Sequence, residues 1–286
     1  MKKRGAGCFL KERRAEVLIE YTEREGHTPI CGVKEGTTQK IDFGILNLKS
    51  NQVYEGHTGE KEAGIVFLSG ICTVEGRGFR YAQVGERKNV FVSKPQAVYL
   101  PAGTAFKITT PSWAEMAVFM APSRKEGKPK LMLPEDMTYT VVGRLHWARY
   151  AYFMIDPVMS GSEDLYVGEV IFPPGHWQFP PHCHDDDEEI YYYKVWPRNG
   201  FGIQMVYTED SRVDKIYKVK NNDTVVVPSG YHPVGSSAGD TLYVLWVMSP
   251  APERRPLILK PDPRYAWAVG AEWMADELTG KIPARK

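Results

Sequence analysis

Apolar residues fall in short runs along this chain, and the runs are rich in Val, Ile, Tyr and Phe. Turn-forming residues separate them, which is the pattern of β-strands joined by tight connections. The clearest runs are GIVFLSG (64–70), VYLPAG (98–103), LYVGEVIF (165–172), EIYYYKV (189–195), TVVVPSG (224–230) and TLYVLWVM (241–248). Their length and spacing predict an all-β protein built from antiparallel barrels or sandwiches.

Helical patterning is weak and is confined to residues 9–20 and to AEWMADELTG at 271–280. The 21 Pro and 26 Gly of the chain agree with many turns and few long helices. We therefore expect helices only at the periphery of the fold.

The second half of the chain repeats the first at an offset of 127 residues, at which VYLPAGTA (98–105) aligns with VVVPSGYH (225–232). Such self-similarity predicts two copies of one barrel, residues 1–125 and residues 126–286, linked by a segment rich in Pro, Lys and Gly at about 122–140. The same offset aligns Glu55, His57, Glu62 and Ala105 with His182, His184, Glu189 and His232. We expect a single complete site, in the second barrel, and a degenerate one in the first.

Metal-ligand chemistry is concentrated in the second half. Side chains alternate between the faces of a strand, so His182 and His184 point one way and Cys183 the other. Glu189 begins the next strand, and the PSG turn brings His232 in from a third. Three imidazoles and a carboxylate suit one divalent Zn, Mn, Fe or Ni ion and leave a position for water or substrate. The alternative is that these histidines are ordinary surface residues at a barrel end, and the repeated pattern favours the metal.

Charge and cysteine usage narrow the possible partners. Lys and Arg total 36 against 35 Asp and Glu, which leaves no excess positive charge for nucleic acid or an anionic membrane. No apolar run reaches the length of a membrane span, and charges interrupt the basic N-terminus before a signal-peptide core could form.

The cysteines are scattered without a CxxC pair, which predicts reduced thiols and a cytoplasmic protein. They are Cys8, Cys31, Cys72 and Cys183.

Four segments resemble the bacterial 5-deoxy-glucuronate isomerases of inositol catabolism, a bicupin family related to the uronate ketol-isomerases of pectin breakdown. They are PPGHWQFPPHCHDDDEEIYYYKV, GFGIQMVYTED, VPSGYHPVG and DPRYAW. EAGIVFLSG and AVYLPAG are similar to the first cupin barrel of that family. The resemblance implies two double-stranded β-helix barrels in tandem, a metal held by His182, His184, Glu189 and His232, and a sugar-acid substrate. The implied reaction converts 5-deoxy-glucuronate to 2-deoxy-5-keto-gluconate in myo-inositol catabolism.

Three positions depart from the pattern expected of that family. Met205 stands where we expect Arg, Trp246 where Asn is usual, and Tyr265 in place of a His. Each departure removes a polar group that could contact an anionic sugar. A related uronate such as 5-keto-4-deoxyuronate is therefore an alternative substrate.

Three further residues are candidates for catalysis. Alternation from Glu189 turns Tyr191 and Tyr193 into the barrel and turns Tyr192 and Lys194 outward. The inward tyrosines could donate hydrogen bonds to substrate oxygens or move a proton, and core packing is an equal alternative. Gln204 could hold a substrate hydroxyl or be structural. Carboxylate-binding candidates are Lys194, Arg198 and Arg212, although such charges are more often solvated.

Two other functions remain compatible with the ligand set. Iron held by three histidines and a glutamate can activate oxygen, as in a cupin dioxygenase, and a sugar-binding cupin need not be catalytic. The sequence carries no nicotinamide, flavin or phosphate-binding motif, which favours an isomerase without net redox change. Strand edges left exposed on a barrel also predict a homo-oligomer.

Overall fold

The protein is almost entirely β-structure in a computed structural model that describes residues 17–184, 188–249 and 259–270. The first ten strands are β1 (Val17–Ile19), β2 (Gly26–Cys31), β3 (Asp42–Leu48), β4 (Val53–His57), β5 (Lys61–Gly76), β6 (Phe79–Arg87), β7 (Ala97–Leu100), β8 (Ala105–Thr109), β9 (Ala114–Pro122) and β10 (Lys130–Met132). The next six are β11 (Thr138–Val142), β12 (Arg149–Ile155), β13 (Tyr166–Phe172), β14 (His182–Cys183), β15 (Glu188–Trp196) and β16 (Gly202–Tyr207). The last five are β17 (Asp214–Val219), β18 (Thr224–Val227), β19 (Val234–Ser236), β20 (Thr241–Ser249) and β21 (Lys260–Pro261).

Helical structure within the described residues is limited to short 3-10 helices at Pro134–Asp136, Leu145–Trp147 and Pro263–Gly270. These observations confirm the all-β prediction. The predicted helix at 9–20 is wrong where it is described, because residues 17–19 form β1. Residues 9–16 and the helix predicted at 271–280 lie outside the described residues. None of the helices within the described residues could span a lipid bilayer.

The strands form two barrels. We define the N-terminal barrel as β2 to β10, whose main sheet has the order β10-β7-β5-β9-β3-β2, with β4, β6 and β8 joined to it through β5. The C-terminal barrel comprises β1 and β11 to β21. Its main sheet has the order β1-β18-β15-β20-β13-β12-β11, accompanied by the small sheets β17-β16-β19 and β14-β21.

Two strand pairings cross the boundary predicted at residue 125. β1 pairs antiparallel with β18, so the first described strand belongs to the sheet of the C-terminal barrel. β10, from the predicted linker, pairs antiparallel with β7 of the N-terminal barrel. The two barrels are thus joined by exchanged edge strands.

Strand register aligns the two barrels residue by residue. Ala63 lies between Leu100 and Met120, and Glu189 lies between Val227 and Met248. Leu100 and Val227 occupy the same position of the repeated VYLPAG and VVVPSG segments. Ala63 is therefore the counterpart of Glu189, and the sequence alignment of Glu62 with Glu189 is wrong by one residue.

Glu62 is instead the counterpart of Glu188, and both carboxylates bind the opposite barrel. Glu62 accepts hydrogen bonds from the backbone N–H groups of residues 163, 164 and 165, immediately before β13. Glu188 accepts them from residues 39, 40 and 41, immediately before β3. Each buried carboxylate thus accepts three backbone hydrogen bonds from the opposite barrel, so the pair joins the barrels at two equivalent places.

Apolar packing fills each barrel and also the space between them. The cluster between the barrels combines Phe43 and Phe119 of the N-terminal barrel with Tyr192 and Tyr243 of the C-terminal barrel. Separate clusters fill the two barrel interiors. The face of β15 that alternation turns outward is consequently buried against the other barrel.

Buried charges also join the barrels. The guanidinium of Arg87 donates to both carboxylate oxygens of Glu169, at 2.9 and 2.7 Å, and both side chains are almost fully buried. Tyr243 donates its hydroxyl hydrogen to the same carboxylate at 2.9 Å. Lys194 forms a second ion pair across the junction, with Glu115 at 2.6 Å.

Cys31, Cys72 and Cys183 are buried and form no disulfide with one another, while Cys8 lies outside the described residues. Cys183 packs with Tyr207 and Tyr231, away from its histidine neighbours. Its position confirms the alternation argument that set it apart from the predicted ligands.

Candidate metal centre

Three histidines from two segments of the C-terminal barrel converge on one point. His182 lies on β14, His184 follows that strand, and His232 follows the turn after β18. Their candidate ligand atoms all lie within 4.8 Å of one another, so the three could hold a metal ion. Two nitrogen ligands about 2.1 Å from one ion are at most about 4.2 Å apart, so small side-chain adjustments suffice to close the site.

The turn before His232 depends on a glycine. Gly230 has a φ of +101°, and a Cβ atom there would lie 3.0 Å from the carbonyl oxygen of Tyr207. Tyr207 and Tyr231 also form a reciprocal pair of backbone hydrogen bonds, at 2.9 and 2.8 Å. This local geometry directs the next side chain, His232, into the barrel.

The carboxylate of Glu189 lies beside two of these histidines. Its Oε2 atom lies 3.0 Å from Nε2 of His232 and 3.7 Å from Nε2 of His184. Burial alone would raise the pKa of Glu189, but the neighbouring His232 and His184 outweigh it and lower this pKa. An ionised carboxylate facing two imidazole nitrogens is the arrangement that a mixed nitrogen and oxygen metal site requires.

The protonation states of the histidines suit metal binding. Nδ1 of His232 lies 2.7 Å from the carbonyl oxygen of Gly230 and must donate to it, because a carbonyl only accepts. The tautomer with its hydrogen on Nδ1 leaves Nε2 as the ligand atom. Burial, followed by the neighbouring His232 and His184, holds the pKa of His182 well below its ordinary value. Neutral imidazoles are the form that binds a metal.

A cavity of about 140 Å³ opens beside this cluster. An apolar cavity of roughly that size holds a molecule such as benzene, so there is room for part of a small organic substrate. Most of its wall is apolar, and the exposed Leu259 lies on it. Its polar lining consists of Arg149, Gln178, His182, His184, Glu189 and Tyr191.

Of the three predicted catalytic residues, only Tyr191 lines this cavity. Burial and the nearby Glu189 carboxylate raise the pKa of Tyr191 well above its ordinary value, so its hydroxyl keeps its hydrogen. Tyr193 donates a hydrogen bond of 2.7 Å to Gln204, and both side chains are fully buried. Gln204 in turn donates to the backbone carbonyl of His232 at 2.8 Å.

The three cations considered as carboxylate partners lie elsewhere. Lys194 is paired with Glu115 at the junction of the barrels. Arg198 is largely exposed, and Arg212 is paired with Asp210 on the surface. None of the three lines the cavity described above.

Arg149, which the sequence reasoning missed, does line the cavity. It begins β12, and Ala151 and Phe153 of the same strand line the cavity beside it. That two-residue spacing is the only signal in the sequence that could have identified it, because β12 lies far from the histidine motif along the chain. Burial lowers the pKa of Arg149 to about 10, which leaves the side chain charged at neutral pH.

Only one of the three departures from the expected family pattern touches the cavity. Trp246 lines it and packs edge-on against Phe153 at 5.5 Å. Met205 packs against the cluster around Cys183, and Tyr265 packs against Phe179. The indole of Trp246 lies over Gly168, where a Cβ atom would come within 2.2 Å of it.

Comparison with known proteins agrees with this architecture. Residues 17–268 match the model of the KduI/IolB family. The chain belongs to this family. The match confirms the resemblance seen in the sequence motifs.

Several relatives of the chain share the name 5-deoxy-glucuronate isomerase. It is 33% identical over 255 residues to the 5-deoxy-glucuronate isomerase of Shouchella clausii, covering 85% of this chain and 92% of the relative. It is 35% identical over 239 residues to the 5-deoxy-glucuronate isomerase of Bacillus subtilis strain 168, covering 80% and 88%.

Solved structures support the fold. An IolB-like protein from Salmonella typhimurium LT2 superposes with a TM-score of 0.84 at 28% identity, over 89% of this chain and all of that one. The oxalate decarboxylase of Lactobacillus farciminis superposes with a TM-score of 0.63 at 10% identity, over 96% and 98% of the two chains. The second likeness concerns the fold alone, and it agrees with the tandem cupin architecture that the motifs implied.

Proposed function

We propose that this protein is a metal-dependent aldose-ketose isomerase that converts 5-deoxy-glucuronate to 2-deoxy-5-keto-gluconate. The observation that carries the proposal is the convergence of His182, His184, His232 and Glu189 beside a cavity that is apolar apart from a few polar groups. The names of the relatives supply the substrate. Family membership supports the same reaction class.

Each residue of the site has a separate task in this proposal. The three imidazoles and the Glu189 carboxylate would hold a divalent Zn, Mn, Fe or Ni ion. When bound, such an ion acts as a Lewis acid on the substrate carbonyl and stabilises the negative charge that develops as a carbon-bound proton is removed. Tyr191, which keeps its hydrogen, donates a hydrogen bond to a substrate oxygen from the cavity wall.

Tyr193 and Gln204 act as positioning residues in this scheme. The side-chain carbonyl of Gln204 accepts a hydrogen bond from Tyr193, and its amide donates one to the backbone carbonyl of His232. The side chains of Tyr193 and Gln204 are therefore not directed at the cavity. Their hydrogen bonds hold the segment that carries His232 at its distance from Glu189. The direct contact with substrate that the sequence suggested for Tyr193 and Gln204 is therefore not part of this proposal.

A related uronate is the second candidate substrate. Trp246 favours it, since a large indole lines the wall where the family resemblance leads us to expect a small polar amide. In that case 5-keto-4-deoxyuronate would be isomerised faster than 5-deoxy-glucuronate. A cytoplasmic location and assembly into a homo-oligomer remain predictions.

Metal analysis followed by an isomerase assay tests the proposal. The purified protein is expected to contain one divalent ion per chain and to form a ketose from 5-deoxy-glucuronate. His184→Ala should lose both the metal and turnover. Turnover of neither uronate by the metal-loaded protein, together with oxygen uptake by the iron-loaded form, would favour the dioxygenase instead.

A further inference from the structure

Arg149 is a buried cation that opens onto the same cavity as the metal centre. The residue is 9% exposed, and it shares the lining of the cavity with His182, Glu189 and Tyr191. It interacts electrostatically with His182 and with Tyr191. Among the described residues that line the cavity, Arg149 is the one with a permanent positive charge.

None of the described residues around Arg149 is a negative partner for it. Within the part of the chain that the structure describes, no carboxylate lies within ion-pair distance of Arg149, and its one hydrogen bond is a 3.3 Å contact from Nη1 to the carbonyl of Trp147. Glu189 faces the imidazoles of His232 and His184 instead. The described residues therefore leave most of the donor capacity of the guanidinium unused.

Arg87, the other buried arginine among the described residues, provides the contrast. Arg87 is held by both oxygens of Glu169 and by the backbone carbonyls of Phe67 and Val90. Burying a charge without such compensation costs free energy, so buried guanidinium groups normally have an anionic partner. Among the described residues Arg149 has no such partner, which points to one that arrives with the ligand.

We propose that Arg149 binds the carboxylate of a sugar acid whose carbonyl end lies at the histidine cluster. This inference rests on the proposed function and identifies how the acid is recognised. A guanidinium fork matches a carboxylate with two parallel hydrogen bonds, which a lysine cannot reproduce. The aldehyde and the carboxylate of 5-deoxy-glucuronate are at opposite ends of its chain, so one cavity with a metal centre and a separate cation suits such a molecule.

Because the carboxylate does not react, Arg149 should affect binding more than turnover. Arg149→Met should raise KM for 5-deoxy-glucuronate by roughly 10-fold to 100-fold, the range for a lost charge-assisted hydrogen bond, and should change kcat far less. The KM of Arg149→Lys should lie between that of Arg149→Met and that of the wild type. Arg198→Met, which alters an exposed arginine outside the cavity, should behave as the wild type does.

Calorimetric binding of D-glucuronate and D-glucose to the metal-loaded protein tests the contact without turnover, since the two sugars differ only at C6. The wild type and Arg198→Met are expected to prefer the acid by about 10-fold or more, and Arg149→Met should lose this preference. Equal binding of both sugars by the wild type, or an unchanged preference in a folded Arg149→Met protein with full metal content, would overturn the proposal. If Arg149→Met does not fold, the binding of the two sugars is measured with Arg149→Lys instead.

A structure of the wild type with D-glucuronate provides an independent test. The sugar carboxylate within hydrogen-bond distance of the Arg149 guanidinium supports the proposal, and a carboxylate bound at the histidine cluster overturns it. If the wild type turns over no uronate but still prefers D-glucuronate through Arg149, the proposed reaction fails while the carboxylate site stands.

Discussion

Glu62 and Glu188 hold equivalent positions in the two barrels, and each accepts three backbone hydrogen bonds from the barrel opposite. Neither carboxylate touches the cavity beside the metal centre. Their shared role is to join the barrels, which explains why a glutamate occurs at this point in both copies of the repeat.

Replacing either carboxylate should therefore destabilise the protein. Glu62→Gln is expected to lower the free energy of unfolding by about 1–3 kcal/mol, because an amide cannot serve three donors as a carboxylate does. Urea denaturation measures the change, and metal content should stay at the wild-type level. Glu55→Gln, an exposed substitution in the same barrel, should change stability by less than about 0.5 kcal/mol. Equal stability of Glu62→Gln and Glu55→Gln would contradict the joining role.

Removing one member of the ion pair between Arg87 and Glu169 should destabilise the protein more than removing both. Glu169→Met leaves the Arg87 guanidinium buried without its counter-charge and should cost about 3–5 kcal/mol. The double variant Arg87→Met with Glu169→Met should recover a large part of this loss, since both charges are then absent. A double-mutant cycle in urea provides the measurement. Additive losses would show that the two side chains act independently.

The hydrogen bonds behind His232 should affect metal affinity. Gln204→Met removes the bonds to Tyr193 and to the His232 backbone, and we expect metal affinity to fall about 10-fold to 100-fold. Competition with a chelator measures this affinity. Tyr191→Phe, on the cavity wall, serves as the comparison for Gln204→Met. Its main effect should be a decrease in kcat of about 10-fold or more. Wild-type metal affinity in Gln204→Met would refute the positioning role.

Of the three departures from the family pattern, only Trp246 should alter the choice of substrate. Trp246→Asn changes the cavity wall and should shift the ratio of kcat/KM for the two uronates by about 10-fold, within the range for a changed pocket contact. Met205→Arg and Tyr265→His lie outside the cavity lining and should leave this ratio within about 2-fold. Steady-state kinetics on both uronates distinguishes these cases, and a larger shift from Met205→Arg would count against the cavity as the substrate site.

Local patterns in the sequence were sufficient for the fold class and for the residues of the histidine cluster. Alternation along β15 correctly assigned Tyr191 and Tyr193 to the barrel interior, where both are buried. It could not reveal that the opposite face, with Tyr192, is buried as well, because that depends on packing against the other barrel.

Other features depend on contacts between distant segments. An alignment without gaps placed Glu62 one residue away from its true counterpart, since strand pairing and not residue spacing sets the register. Arg149 was missed for a related reason. Only the folded sheet brings β12 beside the histidine cluster, and the two-residue spacing from Arg149 to Ala151 and Phe153 does not by itself indicate a cavity.

The pairing of β1 with β18 has a consequence for how the protein is made. Ile19 and Thr224 are partners in one sheet although about 200 residues separate them, so the edge of the C-terminal barrel cannot be completed until both have been synthesised. At roughly 5–20 residues per second, translation between the two strands takes about 10–40 seconds. During that interval the nascent chain must hold β1 without its partner. The protein is therefore expected to reach its native form only after most of the chain has left the ribosome.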